Sequence, residues 1–332
     1  MEKYNHRERC QMIMAGETPD RFAASFWRHF YHMEHHAEGT IEAMVGFQKM
    51  FDWDFMKLNP RADYHVQGWG QEIEYSHHEH TRHTKKHFPV TSVDDWAKIQ
   101  PLELSSPPLA EHLKVVAGIR KAIGKDLPIL MTVFTPLSVA GRMVEDRRTL
   151  VEHLRSHPDQ VEQALASICQ TFAAYATELR NAGADGLFYA ISQWASSDLL
   201  TWEEYEKFGV PYDLKVVDAT EDETINLLHV CASNSYLQQL SKIDYHCQML
   251  NWDSNDPTNI PLDKAYDQLP AQTLVGGVDQ FGWLKNSNPD EIGYQIDKIK
   301  SENDPSRLVI GPGCSIPPEV PMENLRAIRD RL

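Results

Sequence analysis

Three side chains of the types that bind transition metals stand out in the sequence, namely His229, Cys231 and Cys314. His229 and Cys231 are two positions apart, and on an extended segment such side chains point to the same side. An imidazole and a thiol placed in this way can bind one ion. Two thiolates and a neutral imidazole suit zinc, and three protein ligands leave a fourth position for a substrate. The alternative is that the cysteines are small buried hydrophobic residues and that the histidine packs in the core.

These side chains need a scaffold that brings residue 314 next to residues 229–231. The sequence contains short apolar runs that alternate with longer amphipathic segments. The eight runs are Phe22–Trp27, Asp54–Leu58, Ile129–Phe134, Gly186–Ile191, Ile225–Val230, Met249–Trp252, Thr273–Val278 and Leu308–Ile310. The helix-like segments are Ile41–Phe51, Leu109–Ile123, Pro158–Asn181, Trp202–Val217, Pro261–Gln268, Asp290–Ser301 and Glu323–Leu332. Apolar strands separated by helices indicate a parallel sheet that is covered on both faces.

Eight such units predict an α/β fold, a (β/α)8 TIM barrel in which residues 1–332 form a single domain. An open doubly wound sheet is the alternative. It is disfavoured because no Gly-x-Gly-x-x-Gly follows the first run and no Gly-x-x-x-x-Gly-Lys-Ser/Thr occurs in the chain. In a barrel, reactive groups lie at the C-terminal ends of the strands. His229 and Cys231 end the fifth run and Cys314 follows the eighth, so all three are expected at one mouth.

Five further polar residues at strand ends form the predicted substrate-binding set. Arg28 and Lys57 are predicted to bind an anionic group of a substrate, or else to form ion pairs at the barrel rim. Asp279 is predicted either to hydrogen-bond an imidazole ligand or to cap the following turn. Gln193 and Asp253 are predicted to take the fourth zinc position or to contact the substrate.

Composition limits the class of protein. The net charge is −16 and there is no long Lys/Arg run, which argues against nucleic-acid binding. No apolar run approaches the roughly 20 residues of a membrane helix, and the N-terminus is too polar for a signal peptide, so we expect a cytoplasmic protein that does not bind membranes. Five scattered cysteines are no disulfide framework, and Cys247 is expected in the core. A histidine-rich insert near residues 75–89 is predicted to be an exposed loop or hairpin, either solvated or metal-binding.

Motifs spread over most of the chain resemble the uroporphyrinogen decarboxylase superfamily. They are Ala182-Gly-Ala-Asp185, Asp198-Leu-Leu-Thr-Trp-Glu-Glu-Tyr205 with Val210-Pro-Tyr212, Val275-Gly-Gly-Val-Asp279, and Gly313-Cys-Ser-Ile-Pro-Pro318 with Asn324-Leu. Within it, His229-x-Cys231 with the distant Cys314 is similar to the zinc-dependent, corrinoid-linked methyltransferases, which include methylcobalamin:coenzyme M methyltransferases. The resemblance implies a barrel and a zinc ion that activates a thiol acceptor. It also implies methylcobalamin as a co-substrate, a corrinoid carrier protein as partner, and a possible homodimer.

The decarboxylase pattern is only partly present. Decarboxylases of the superfamily carry a Met-Arg-Gln-Ala-Gly-Arg stretch and an essential Asp after the second strand, whereas this chain has Phe26-Trp-Arg28-His-Phe30 and Phe55-Met-Lys-Leu-Asn59-Pro. The sequence therefore favours a zinc-dependent methyltransferase acting on a small-molecule acceptor. Two alternatives stay open: a metal-free lyase on a carboxylated tetrapyrrole or related ring, and a binding protein that carries a corrinoid or metal.

Overall fold

The barrel is built from strands that the apolar pattern predicts. The computed structural model describes residues 3–220, 224–269 and 273–332. The strands are β1 (Ala23–Ala24), β2 (Met56–Leu58), β3 (Glu72–Glu74), β4 (Thr84–His87), β5 (Ile129–Phe134), β6 (Gly186–Ser192), β7 (Leu227–Val230), β8 (Met249–Trp252), β9 (Thr273–Val278) and β10 (Leu308–Pro312). Eight of them form one parallel sheet in the order β1-β10-β9-β8-β7-β6-β5-β2. The predicted (β/α)8 barrel is confirmed.

Helices lie between the strands and cover the outside of the sheet. They are α1 (His6–Met14), α2 (Ala37–Phe51), α3 (Tyr64–Gln67), α4 (Pro107–Ile123), α5 (Pro136–Ala140), α6 (Arg147–Ser156), α7 (Pro158–Asn181), α8 (Trp202–Phe208), α9 (Val210–Val217), α10 (Leu237–Leu240), α11 (Leu262–Gln268), α12 (Trp283–Asn286), α13 (Pro289–Glu302) and α14 (Met322–Arg329), with a 3-10 helix at Val93–Lys98. No helix of the described residues is long and apolar enough to cross a membrane.

Two predicted elements differ from the observed ones for identifiable reasons. The first apolar run, Phe22–Trp27, is a strand only at Ala23–Ala24, because β10 pairs with those two residues alone. The predicted helix Trp202–Val217 is divided at Gly209 into α8 and α9. Pro211 follows this break, and a proline has no amide hydrogen with which to continue the helical hydrogen bonding.

The gap between β1 and β2, the first and last strands of the sheet order, is closed by Asp54, which lies two residues before β2. The Asp54 amide donates to the carbonyl of Ala24 at 2.9 Å, and its carboxylate accepts from the Ala24 amide at 2.8 Å. The same carboxylate accepts from Arg9 and Arg21, each at 2.7 Å. Burial alone would raise the pKa of Asp54, but the hydrogen bond from His6 and the two arginines outweigh it and lower the pKa to about 2. One buried carboxylate therefore joins β1, β2 and α1.

The histidine-rich insert is a two-stranded antiparallel hairpin, β3–β4, that lies against the barrel mouth. Glu79 at its tip accepts from Arg28 at 2.7 Å, and Lys85 lies 3.3 Å from Asp63. The imidazole of His83 is 2% exposed and lies 3.3 Å from the buried carboxylate of Glu34. The predicted hairpin is present and most of its histidines are exposed, whereas His83 is buried against Glu34.

A buried acid outside the barrel gives a prediction for stability. Asp213 in α9 is buried and accepts hydrogen bonds from Tyr205 at 2.6 Å and Tyr245 at 3.3 Å. Burial raises the pKa of Asp213 to about 7, although both hydrogen bonds oppose that shift. An unfolded Asp titrates near pH 4, so the folded protein holds an extra proton between about pH 4 and 7 and loses stability as the pH rises through that range.

We therefore expect Asp213→Asn to gain stability relative to the parent protein as the pH rises from 5 to 8, by on the order of 2 kcal/mol. Urea unfolding of both proteins at pH 5, 6, 7 and 8 measures the difference. A difference that stays constant with pH would contradict the assignment.

Candidate metal centre

The three predicted ligands meet at the C-terminal mouth of the barrel. His229 lies in β7 and is 4% exposed, Cys231 follows the last residue of β7, and Cys314 comes two residues after β10. The two sulfur atoms are 3.4 Å apart. One ligand atom from each residue lies within 4.8 Å of the other two. Parallel strands direct their C-terminal ends to the same edge, which is why residues 83 positions apart converge.

The tautomer of His229 is fixed by Asn251. The amide nitrogen of Asn251 donates to the carbonyls of Val275 at 2.8 Å and Pro312 at 3.0 Å, so its oxygen must face the imidazole. That oxygen lies 2.6 Å from Nδ1 of His229, which therefore carries the hydrogen. Nε2 is left with its lone pair, the form of histidine that binds a metal.

The two thiols share one hydrogen bond, from Cys231 to Cys314. That bond lowers the pKa of Cys314, with further lowering by His229 and Lys57, and it raises the pKa of Cys231. A pair of this kind loses its first proton easily and its second with difficulty. A divalent cation that replaces the shared proton would favour the doubly deprotonated form.

These residues fit zinc. With Zn–S bonds of about 2.3 Å, two sulfurs of a tetrahedral site are separated by about 3.8 Å, so the observed 3.4 Å requires only a small widening. In the described ranges 3–220, 224–269 and 273–332, no other group of three His, Cys, Asp or Glu side chains is close enough to hold a metal. Two soft sulfurs with one imidazole favour zinc over magnesium or calcium, which prefer oxygen ligands.

The ligands open onto a cavity of about 620 Å³ that the hairpin partly covers. Lys57 and Gln193 of the predicted substrate-binding set line it. Besides these, its wall includes Trp27, His65, Phe134, Arg142, Phe188, Phe281 and Lys285. This volume is enough for a small molecule.

Three other predicted residues lie elsewhere. Arg28 is 2% exposed and is paired with Glu79, the rim ion pair that was its alternative role. Asp279 accepts hydrogen bonds from the amides of residues 281 and 282 at 3.2 Å and 2.7 Å, so it caps the following turn. The His229 imidazole is hydrogen-bonded by Asn251 instead. Asp253 accepts from Gln280 at 3.1 Å and is not one of the grouped ligand atoms.

Lys57 is buried in the wall of the cavity. It is 6% exposed, hydrogen-bonds Asn59, and places its Nζ 4.6 Å from the centre of the Phe188 ring. Burial lowers the pKa of Lys57 to about 7, against the charges of Cys314 and Cys231, which raise it. Cys247, by contrast, packs against the core away from the mouth, as predicted.

Two residues of the site were missed from the sequence. Asn251 is the polar residue in the run Met249-Leu-Asn-Trp252, and the strand register places it beside His229. Phe188 contacts the His229 ring, with centroids 4.9 Å apart. A polar residue inside an otherwise apolar strand was a usable signal for Asn251, whereas nothing distinguishes Phe188 from other core aromatics.

Comparisons with known proteins show the family and the fold of the chain. A family model described as uroporphyrinogen decarboxylase (URO-D) matches residues 10–332. A methylcobamide:CoM methyltransferase of Methanosarcina acetivorans is 27% identical over 239 residues, which cover 71% of this chain and 67% of that protein. A uroporphyrinogen decarboxylase of Parasynechococcus marenigrum is 24% identical over 245 residues, 71% of this chain and 66% of that protein. The solved structure of a methyltransferase from Methanosarcina mazei has a TM-score of 0.79 at 19% identity, covers 99% of both chains, and shares the fold.

Proposed function

The chain belongs to the uroporphyrinogen decarboxylase family, and within it we propose a zinc-dependent methyltransferase that moves a methyl group from a methylated corrinoid to a thiol or similar acceptor. The observation that carries the proposal is the convergence of His229, Cys231 and Cys314 on one point of the cavity. The similarity to methylcobamide:CoM methyltransferases supports it at the level of the reaction type.

The protein's own residues prepare the reacting centre. With a metal in place of their shared proton, Cys231 and Cys314 would supply two negative charges, and Asn251 holds His229 in the Nδ1–H tautomer with Nε2 available. Bound zinc would lower the pKa of an acceptor thiol, ordinarily near 8.5, so that the acceptor is present as a thiolate at neutral pH. The ring of Phe188 gives the cavity wall an apolar surface beside the His229 imidazole.

The donor and partners follow from the same proposal. The acceptor sulfur attacks the methyl group, the S–C bond forms as the Co–C bond breaks, and both electrons of that bond stay on cobalt. Methylcobalamin acts as a co-substrate, presented by a corrinoid carrier protein that docks over the mouth. Of the predicted substrate-binding set, we propose that Lys57 and Gln193 contact the acceptor, and their position in the cavity wall supports this. We further propose a cytoplasmic location and leave homodimer formation as a prediction.

The rival activity is decarboxylation of a porphyrinogen without a metal. Relatives named uroporphyrinogen decarboxylase are 22–24% identical, so family membership alone does not separate the two activities. At the end of β2, however, the chain has Lys57 and Asn59, with no carboxylate at that place. A cation there does not anchor the protonated pyrroles of a tetrapyrrole.

The proposal is tested by elemental analysis of untagged protein, followed by methylcobalamin demethylation with a panel of thiols. We expect about one zinc per chain and a loss of methylcobalamin absorbance that depends on a particular acceptor. Protein without zinc that decarboxylates uroporphyrinogen would overturn the proposal.

The role of Asn251 gives a separate prediction. Because its oxygen fixes the His229 tautomer, Asn251→Ala is expected to bind zinc about 10–100-fold more weakly. Asn251→Asp keeps an oxygen acceptor and is expected to retain more of the affinity. Competition with a chromophoric chelator measures both variants. Unchanged zinc affinity in Asn251→Ala would show that the tautomer is set by another group.

A further inference from the structure

Lys57 is a buried cation without an anionic partner among protein carboxylates. Its side chain is in β2, points into the barrel, and hydrogen-bonds the neutral amide of Asn59. Among the residues that the structure describes, no Asp or Glu oxygen lies within 4.0 Å of its Nζ. Burying a charge without a counter-charge is costly, so such a group in a cavity wall is expected to face an anion when the cavity is filled.

The position of Lys57 relates it to the metal centre and not to the rim. The ring of Phe188 in β6 contacts both groups. Its centre lies 4.6 Å from Nζ of Lys57 and 4.9 Å from the centre of the His229 imidazole. The ammonium and the three ligands line the same cavity. Two other cations of this cavity, Arg142 and Lys85, are compensated and lie 2.8 Å and 3.3 Å from Asp63.

The sum of the charges at the metal centre indicates which anion could neutralise the charge of Lys57. Zn²⁺ with two thiolates and a neutral imidazole has no net charge, so a neutral fourth ligand would leave the Lys57 ammonium uncompensated. With an anionic fourth ligand, the zinc ion and its four ligands carry a net charge of −1. Adding the +1 charge of the Lys57 ammonium brings the total to zero. The pair is then balanced inside a cavity where charges interact more strongly than in water.

We propose that Lys57 is a positioning residue that selects, at the fourth position of the centre, an acceptor bound as an anion over a neutral one. This inference rests on the proposed function. It differs from the expectation that Lys57 binds an anionic tail, because it assigns the lysine to the reacting end of the acceptor.

Binding to the cobalt(II)-substituted protein tests the proposal, since an added thiolate increases the charge-transfer absorption that the two cysteine thiolates already give, and this increase is independent of turnover. The probe is 2-mercaptoethanol, whose far end is uncharged. We expect Lys57→Met to weaken its binding about tenfold or more at pH 7 and to move the pH midpoint of binding upward. Lys57→Arg, which keeps the charge, is expected to restore most of the affinity. Lys207→Met is the control, because Lys207 is exposed and pairs with Glu162 on the outer surface.

The outcomes separate this inference from the proposed function. If Lys57→Met binds 2-mercaptoethanol as the parent does but binds 3-mercaptopropionate more weakly, Lys57 serves the tail and the inference is wrong. If added 2-mercaptoethanol leaves the absorption of the parent cobalt protein unchanged, the proposed function itself fails. If Lys57→Met does not fold, ligand binding to the cobalt-substituted parent protein tests the inference. We expect the anion azide to bind the cobalt centre more tightly than neutral imidazole. Tighter binding of imidazole would overturn the inference.

Discussion

Replacing Cys231 or Cys314 with alanine is expected to abolish stoichiometric zinc binding and to lower methyl transfer by about 1,000-fold or more. Each change removes one of two negatively charged ligands, and the two that remain cannot hold zinc in a tetrahedral site. The barrel should remain folded, because both thiols lie at the mouth and neither belongs to the hydrophobic core.

Cys247→Ala is the matched control, since it removes a thiol that packs against the core away from the mouth. Zinc content per chain, circular dichroism melting and the methylcobalamin assay should be measured on all three variants. Full zinc occupancy in Cys231→Ala or Cys314→Ala would exclude this centre, and with it the methyltransferase proposal.

Replacing Asp54 with asparagine is expected to destabilise the protein by about 3–5 kcal/mol, the effect of removing one partner from a buried ion network. Arg9, which is 0% exposed, and Arg21 would lose the carboxylate that they share. The asparagine also loses one of the acceptors that hold β1 against β2.

Asp52 provides the comparison. It lies two residues earlier, pairs with Arg329 at 2.7 Å and is 54% exposed, so Asp52→Asn is expected to cost less than about 1 kcal/mol. Urea unfolding with fluorescence and circular dichroism, at equal m-values, measures both variants. Equal stability losses in the two variants would contradict the view that Asp54 closes the barrel.

The eight-stranded barrel and the convergence of His229, Cys231 and Cys314 could be predicted because both follow from periodic or local patterns. Buried parallel strands are apolar on both faces, so Ile129–Phe134, Met249–Trp252 and Thr273–Val278 were found with their observed bounds. Ligands at strand ends converge in any barrel of this kind. This reasoning needs no knowledge of contacts between particular side chains.

The remaining features depend on such contacts. Whether Asp279 or Asn251 supports His229 is decided by the register of β7 with β8, which the sequence does not contain. Arg28 forms an ion pair with Glu79 of the hairpin insert. The conformation of that insert could not be predicted, because its sequence has no periodic hydrophobic pattern. The burial of Lys57 beside Phe188 is likewise visible only in three dimensions.

The two carbonyl contacts of Asn251 affect how the protein would acquire the proposed zinc ion. One side chain links His229 of β7 to Val275 of β9 and to Pro312, two residues before Cys314. The ligand set is thus preorganised by neutral hydrogen bonds before any ion arrives. The site then loses little conformational entropy when it binds a metal ion. Nearly all of the free energy of coordination therefore appears as binding affinity, and little of it is used to fold or order the site.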